Sequence, residues 1–336
     1  MSIDQPMPPY RMRKLAPIVL LLILASPFAS ASLTRHGRFV FTARITDLPT
    51  DAESVTLWVP IPSTGRDQII SEVLLDSDYK WTFAKGAKHG NQYAWTTIEE
   101  DFPEVVEVRV SFKVERRTVL FDRLEAGPVT QEQLRQSLLP SRLVTISPRI
   151  QTIATQITRG TGGVLEEARA IYDYVLATMK FDETEEGWGR GDTERACDIR
   201  SGNCTDFHSL FISLARARGI PARFIMGMPL LAQDEPVTSY RCWAEFYLQS
   251  KGWVPVDPSE ASKTTDPAIQ NFLFGNLDYD RIGFSIGRDI VLDPATAQPL
   301  NYMIYPYAEA DGKMVGQPSI SLDRWREESR PAAQKR

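Results

Sequence analysis

The apolar residues of this chain repeat with one period in its first third and with another after about residue 160, and few folds accommodate both. From His36 to about Phe121 the repeat is two. Phe39, Phe41, Ala43 and Ile45 alternate with Val40, Thr42, Arg44 and Thr46, and Val55, Leu57, Val59 and Ile61 repeat the pattern. Val106, Val108, Val110, Phe112 and Val114 then face away from Glu107, Arg109, Ser111 and Lys113. Alternation of this kind buries one face of a strand and wets the other, so residues 33–125 read as a β-sandwich of about 90 residues built from antiparallel strands. It carries no reactive cluster. His36 and His89 stand in polar surroundings without ligand-spaced neighbours and read as solvated loop residues.

The Pro-containing stretch Gly127 to Pro148 marks a boundary near residues 125–135, after which the period becomes about 3.6. Leu165, Ala168, Ile171, Tyr172, Val175 and Met179 form one helical stripe, with Glu166 and Glu167 at its positive end. Phe181 to Arg200 holds too much glycine and charge for a regular element and reads as an exposed loop. Phe207, Leu210, Phe211 and Leu214 make a second stripe that Gly219 and Pro221 stop. Ala222–Met228, Arg241–Leu248 and Gly252–Asp257 read as strands. The expected organisation is α+β: the sandwich, a core over 126–310 with a C-terminal extension, and a polar tail over 311–336.

Charge and cysteine usage narrow the class. The formal net charge is −5, yet residues 1–31 are net +2 through Arg11, Arg13 and Lys14 against Asp4. The remainder is acidic and excludes a general nucleic-acid binder. The basic start precedes an uncharged run, Leu15 to Ala25, and small residues at Ala29 and Ala31 fit an A-x-A cleavage site. Residues 1–31 thus read as a secretory signal for a periplasmic or extracellular protein, the alternative being an uncleaved anchor, the one route to a membrane. Three cysteines, Cys197, Cys204 and Cys242, are an odd count, so at least one is free, although Cys197 and Cys204 have the option of pairing. No metal site or phosphate loop has persuasive spacing, and no cofactor is expected.

Cys204 directly precedes the second helical stripe, with Asn203 or Ser201 available as cap. A thiol in a first helical turn faces unpaired N–H groups and the positive end of the dipole, which favours thiolate and provides donors for an oxyanion. Its partners would come from the strands downstream. Arg241, Trp243, Glu245 and Tyr247 share one strand face and Cys242, Ala244, Phe246 and Leu248 the other, while the next strand ends in Asp257.

Four segments, Gly202-Asn203-Cys204-Thr205-Asp206-Phe207-His208, Gly219-Ile220-Pro221-Ala222-Arg223, Cys242-Trp243-Ala244-Glu245-Phe246-Tyr247 and Gly252-Trp253-Val254-Pro255-Val256-Asp257-Pro258, occur in the order and spacing of the bacterial transglutaminase-like family, which this chain resembles over about residues 140–260. The resemblance implies a papain-like core with a Cys-His-Asp triad, preceded by an accessory β-rich domain. It places the nucleophile on Cys204 and the orienting carboxylate on Asp257. The family's histidine falls on Arg241.

Arginine has no lone pair and no transferable proton near neutrality, so the implied triad is incomplete. The Arg241 fork has the reach to pair with Asp257. His208, four residues after Cys204, shares its helix face and is the candidate substitute for the imidazole, against an ordinary hydrogen-bonded core histidine. Trp188 and Trp243 are candidate walls of a substrate groove, or packing. The expectation is an exported thiol acyltransferase or amide hydrolase for protein or peptide substrates, impaired by Arg241; the alternative is a pseudoenzyme that binds peptides or cell-envelope components.

Overall fold

The computed structural model describes residues 34–49, 51–99, 103–230 and 240–327, all within one compact unit. The candidate signal segment lies outside the described residues. The alternating N-terminal third forms β1 (Thr34–Thr46), β2 (Val55–Ile61), β3 (Gln68–Asp76), β4 (Thr82–Lys85), β5 (Gln92–Ile98) and β6 (Val106–Arg117). β1, β6 and β3 pair in one antiparallel sheet, and β2, β5 and β4 in a second. Their apolar faces meet through buried Phe39, Phe41, Val59, Val110 and Phe112, with Phe39 stacked on Phe112 at 5.3 Å. Alternation works because one face of each strand is removed from water.

The middle of the chain turns helical: α1 (Gln131–Gln136), α2 (Pro148–Ile157) and α3 (Val164–Thr178), then β7 (Lys180–Phe181), α4 (Thr193–Ile199), β8 (Ser201–Gly202) and α5 (Cys204–Ala217). Here the expected exposed loop 181–200 is corrected. Asp192 caps the N–H groups of Glu194 and Arg195, and the α4 that results buries Ala196 and Cys197, so charge on one face concealed an apolar one.

The core sheet follows as β9 (Ala222–Pro229), β10 (Arg241–Leu248) and β11 (Gly252–Val256), continued by α6 (Pro258–Ala261), α7 (Pro267–Phe272) and β12 (Arg281–Ile286). Its order is β11-β10-β9-β12, antiparallel throughout. α5 lies on one face, Phe211 against Phe246 and His208 against Phe224. α2, α3 and α4 surround α5, which is why every residue from Thr205 to Ala215 is buried.

The C-terminal segment departs from expectation. β13 (Tyr307–Ala310) pairs with β2 and with β14 (Lys313–Met314), and β15 (Gln317–Glu327) pairs with β1 from Thr46↔Gln317 to Gly37↔Glu327. Residues 307–327 therefore complete both sheets of the sandwich rather than ending a core or forming a polar tail. The physical reason is the free edge of β1. With β6 on one side only, its other row of N–H and C=O groups would be open, and β15 pairs it.

Candidate active site

Cys204 owes its position to local capping. Asn203 accepts from the Thr205 N–H at 2.9 Å, and Asp206 accepts from the Asn203 N–H at 3.0 Å, a reciprocal box that starts α5 at the thiol. Asn203, not Ser201, is the cap. Asp206 also accepts from the Gly189 and Gly191 N–H groups at 2.7 and 2.9 Å, which ties the preceding loop, and with it Trp188, to the same helix end. The approach is too close for a side chain at Gly202, whose Cβ would fall on the Asp206 carboxylate.

The half-buried Cys204 lines a cavity of about 450 Å³ together with Trp188, Tyr240, Arg241, Cys242 and Asp257. Sequence separations of up to 69 residues converge here because α5 packs against both β10 and α6, the short helix that Asp257 caps. Three of the expected residues, Cys204, Arg241 and Asp257, thus share one cavity with Trp188. Trp243 does not join them. It points away from its neighbour Cys242, on the sheet face turned from α5, and lines a different cavity.

Arg241 bonds elsewhere than expected. Its Nη1 donates to Glu260 Oε2 at 3.0 Å, and Lys263 Nζ meets the same carboxylate at 3.1 Å. Asp257 instead accepts from Arg281 Nη1 at 2.5 Å through one oxygen and from the Glu260 N–H at 2.9 Å through the other. The expected Arg241–Asp257 fork is therefore corrected: a buried carboxylate takes the cation that is buried with it, and Arg281 is, while Arg241 sits at the rim.

His208 is fully buried behind the cavity. Its Nδ1 stands 3.5 Å from Cys242 Sγ, and its Nε2 stands 3.2 Å from Asp257 Oδ1, near but poorly aligned for a hydrogen bond. Burial alone would raise the Asp257 carboxyl; His208 and the Arg281 charge reverse this and hold it well below the usual carboxylate range. Burial and the neighbouring Cys204 push the Cys242 thiol well above its ordinary value. Tyr240 Oη accepts from Asn203 Nδ2 at 2.7 Å, and burial raises its hydroxyl too. All three cysteines are free.

Sequence reasoning missed Arg281, Glu260 and Tyr240. Arg281 lies 24 residues beyond Asp257 with no motif around it, and only the pairing of β12 with β9 brings it in. Cys242 was more legible, since its strand face, shared with Ala244 and Phe246, is the apolar one that must meet a helix. Among the described residues no group of His, Cys, Asp and Glu is arranged to hold a metal ion, and no helix is long and apolar enough to cross a membrane.

Residues 151–258 match the model of the transglutaminase-like superfamily. An uncharacterized protein of Haemophilus influenzae is 28% identical over 299 residues, spanning 76% of this chain and 80% of that protein. YebA of Bacillus subtilis, also uncharacterized, is 27% identical over 136 residues, 36% of this chain and 18% of that one. Among solved structures, a Cytophaga hutchinsonii protein provisionally described as a cysteine protease aligns with a TM-score of 0.57 at 16% identity, covering 87% of this chain and 93% of that chain. The fold is mixed α/β: a transglutaminase-like domain with a papain-like helix and sheet, preceded by a sheet-rich region.

Proposed function

We propose that this chain is an exported cysteine acyltransferase or amide hydrolase for peptide-like amides, with Cys204 as nucleophile, and that its turnover is slow because Arg241 occupies the position of the family's histidine. The observation that carries the reading is a half-buried thiol on a capped helix start, opening into a cavity whose nearest imidazole is buried behind Cys242. Export rests on the Arg11-to-Ala31 pattern.

The Cys204 sulfur attacks the amide carbon, a C–S bond forms, and the carbonyl electron pair moves to oxygen. The cap consumes the Thr205 N–H, leaving the Cys204 N–H to face that oxygen. Collapse breaks the C–N bond, and the departing amine needs a proton. Arg241 supplies fixed charge at the cavity rim but neither takes the thiol proton nor returns one. Water, or His208 reached through Cys242, must do so less efficiently. Asp257 steadies the His208 and Arg281 side of the site rather than orienting the residue at 241. Water or an amine then resolves the thioester.

The second reading, a binding protein for peptides or cell-envelope components, draws on the aromatic walls Trp188, Tyr240 and Tyr305. Turnover of a chromogenic peptide amide separates the two. Wild type should be slow, Cys204→Ala silent, and Arg241→His faster by about 100-fold or more, the usual worth of a positioned acid–base group. Wild type as fast as Arg241→His would refute the impairment. Silence from both, with saturable peptide binding, would favour the binding protein.

A further inference from the structure

The core-sheet face turned away from α5 carries a second cavity, of about 440 Å³, where β9, β10 and β12 meet the turn between β2 and β3. Strand alternation creates it. Cys242 and Phe246 of β10 touch His208 and Phe211 on α5, so Trp243, Glu245 and Tyr247 face the other way. The volume lies in the ordinary range for small-molecule sites, roughly 300–1,000 Å³.

The charges around this cavity do not cancel. Arg66 pairs with Asp67 at 2.8 Å and Arg223 with Glu245 at 2.6 Å, which leaves Arg116. Arg116 is only 2% exposed, and its guanidinium donates to two backbone carbonyls, Arg281 O at 2.7 Å and Asp67 O at 2.6 Å. Among the described residues it has no carboxylate partner within 4.0 Å. Burial pushes the guanidinium down to about 10, against the weaker pull of Asp67 and more distant carboxylates. Buried charges are ordinarily paired.

Two further polar groups of the lining are also unsatisfied. Trp243 Nε1 and Ser63 Oγ are buried and have no hydrogen-bond partner among the described residues. Gln68, by contrast, is fully engaged with Ser63 O and both backbone groups of Gly283. A net positive cavity with spare donors and an apolar floor of Trp243, Ile225 and Phe284 suits one anionic group on an apolar body. A phosphate dianion would find a single unpaired cation and too much apolar wall.

We infer that this cavity binds a small monocarboxylic acid with an aromatic or aliphatic body, the carboxylate on Arg116 and the body against Trp243 and Ile225. The site is independent of the thiol chemistry, so the Cys204→Ala protein serves as well as wild type for testing it.

The experiment is calorimetric titration of the full exported chain with 3-phenylpropionate and with 3-phenylpropanamide, its neutral isostere. The carboxylate should bind saturably and about 10-fold or more tighter than the amide, the margin of a charge-assisted hydrogen bond over a neutral one. Alkylating Cys204 should leave binding unchanged, and Arg116→Gln should remove the preference. Because Arg116 is a buried link between β6 and β12, Gly65→Phe provides a second variant. Gly65 lines the cavity and a Cβ there meets nothing within 4 Å, so an added ring has room beside the cavity without disturbing the fold and should weaken binding. Equal affinity for acid and amide, no saturation, full binding by folded Gly65→Phe, or loss on alkylation of Cys204 would each overturn the assignment.

Discussion

Asp257 shows how one residue's partners define what it does. It is buried with Arg281 and His208 and caps α6, so its ionised form is favoured in the folded chain and its carboxyl is held low. A carboxylate depressed on folding contributes stability that is complete above its unfolded value, near 4, and declines as pH falls towards the folded one. Asp257→Asn should therefore cost about 3 kcal/mol at pH 7, the scale for breaking a buried ion pair, and the difference from wild type should shrink below about pH 4. Denaturant melts of both proteins across pH 3–7 check this; a gap that widens in acid would contradict it. The family resemblance pointed to the carboxylate but not to its partners, because pairing with Arg241 needed only reach, while pairing with Arg281 follows from shared burial.

Elements decide what surrounds the thiol. α5 begins at Cys204 because Asn203 and Asp206 form its capping box, and the same Asp206 carboxylate gathers the Gly189 and Gly191 N–H groups. Removing it strands three backbone donors. Asp206→Ala should lower stability by about 2 kcal/mol or more and speed amide hydrogen exchange through residues 187–191, measured by mass spectrometry. Unchanged exchange there would mean the loop is held by its other partners, Arg195, Arg288, Asn301 and Tyr302, without Asp206. The start of α5 and the alternation of β10 were legible in the sequence because both are local. α4 was not, since a seven-residue helix shows its apolar face only twice, at Ala196 and Cys197.

At the scale of the molecule, the chain closes on itself. β1 and β2 at the start are completed by β15 and β13 at the end, and Phe284 of β12 packs against Phe39, Phe41 and Phe112 of the sandwich, so sandwich and core share one apolar interior. This return was the least legible feature. Ile320 and Leu322 alternate with Ser319, Ser321 and Asp323 over too few residues to outweigh the charged segment that follows. What fixes β15 is the free edge of a strand nearly three hundred residues earlier. Deleting residues 311–336 should expose that edge, lowering the melting temperature and promoting association, visible by differential scanning calorimetry and light scattering. A monomer with an unchanged melting temperature would show the return strand to be dispensable.

The account rests on Cys204 being the acyl acceptor in a site that lacks a cavity-facing imidazole. Peptide mapping by mass spectrometry after mixing with p-nitrophenyl acetate tests this directly. The prediction is one acetyl group on Cys204 that persists long after mixing in wild type and clears faster in Arg241→His, with Cys197 and Cys242 left unmodified in their buried positions. Acetylation confined to Cys242 or to no cysteine, or an adduct on Cys204 that clears equally fast in both proteins, would contradict it.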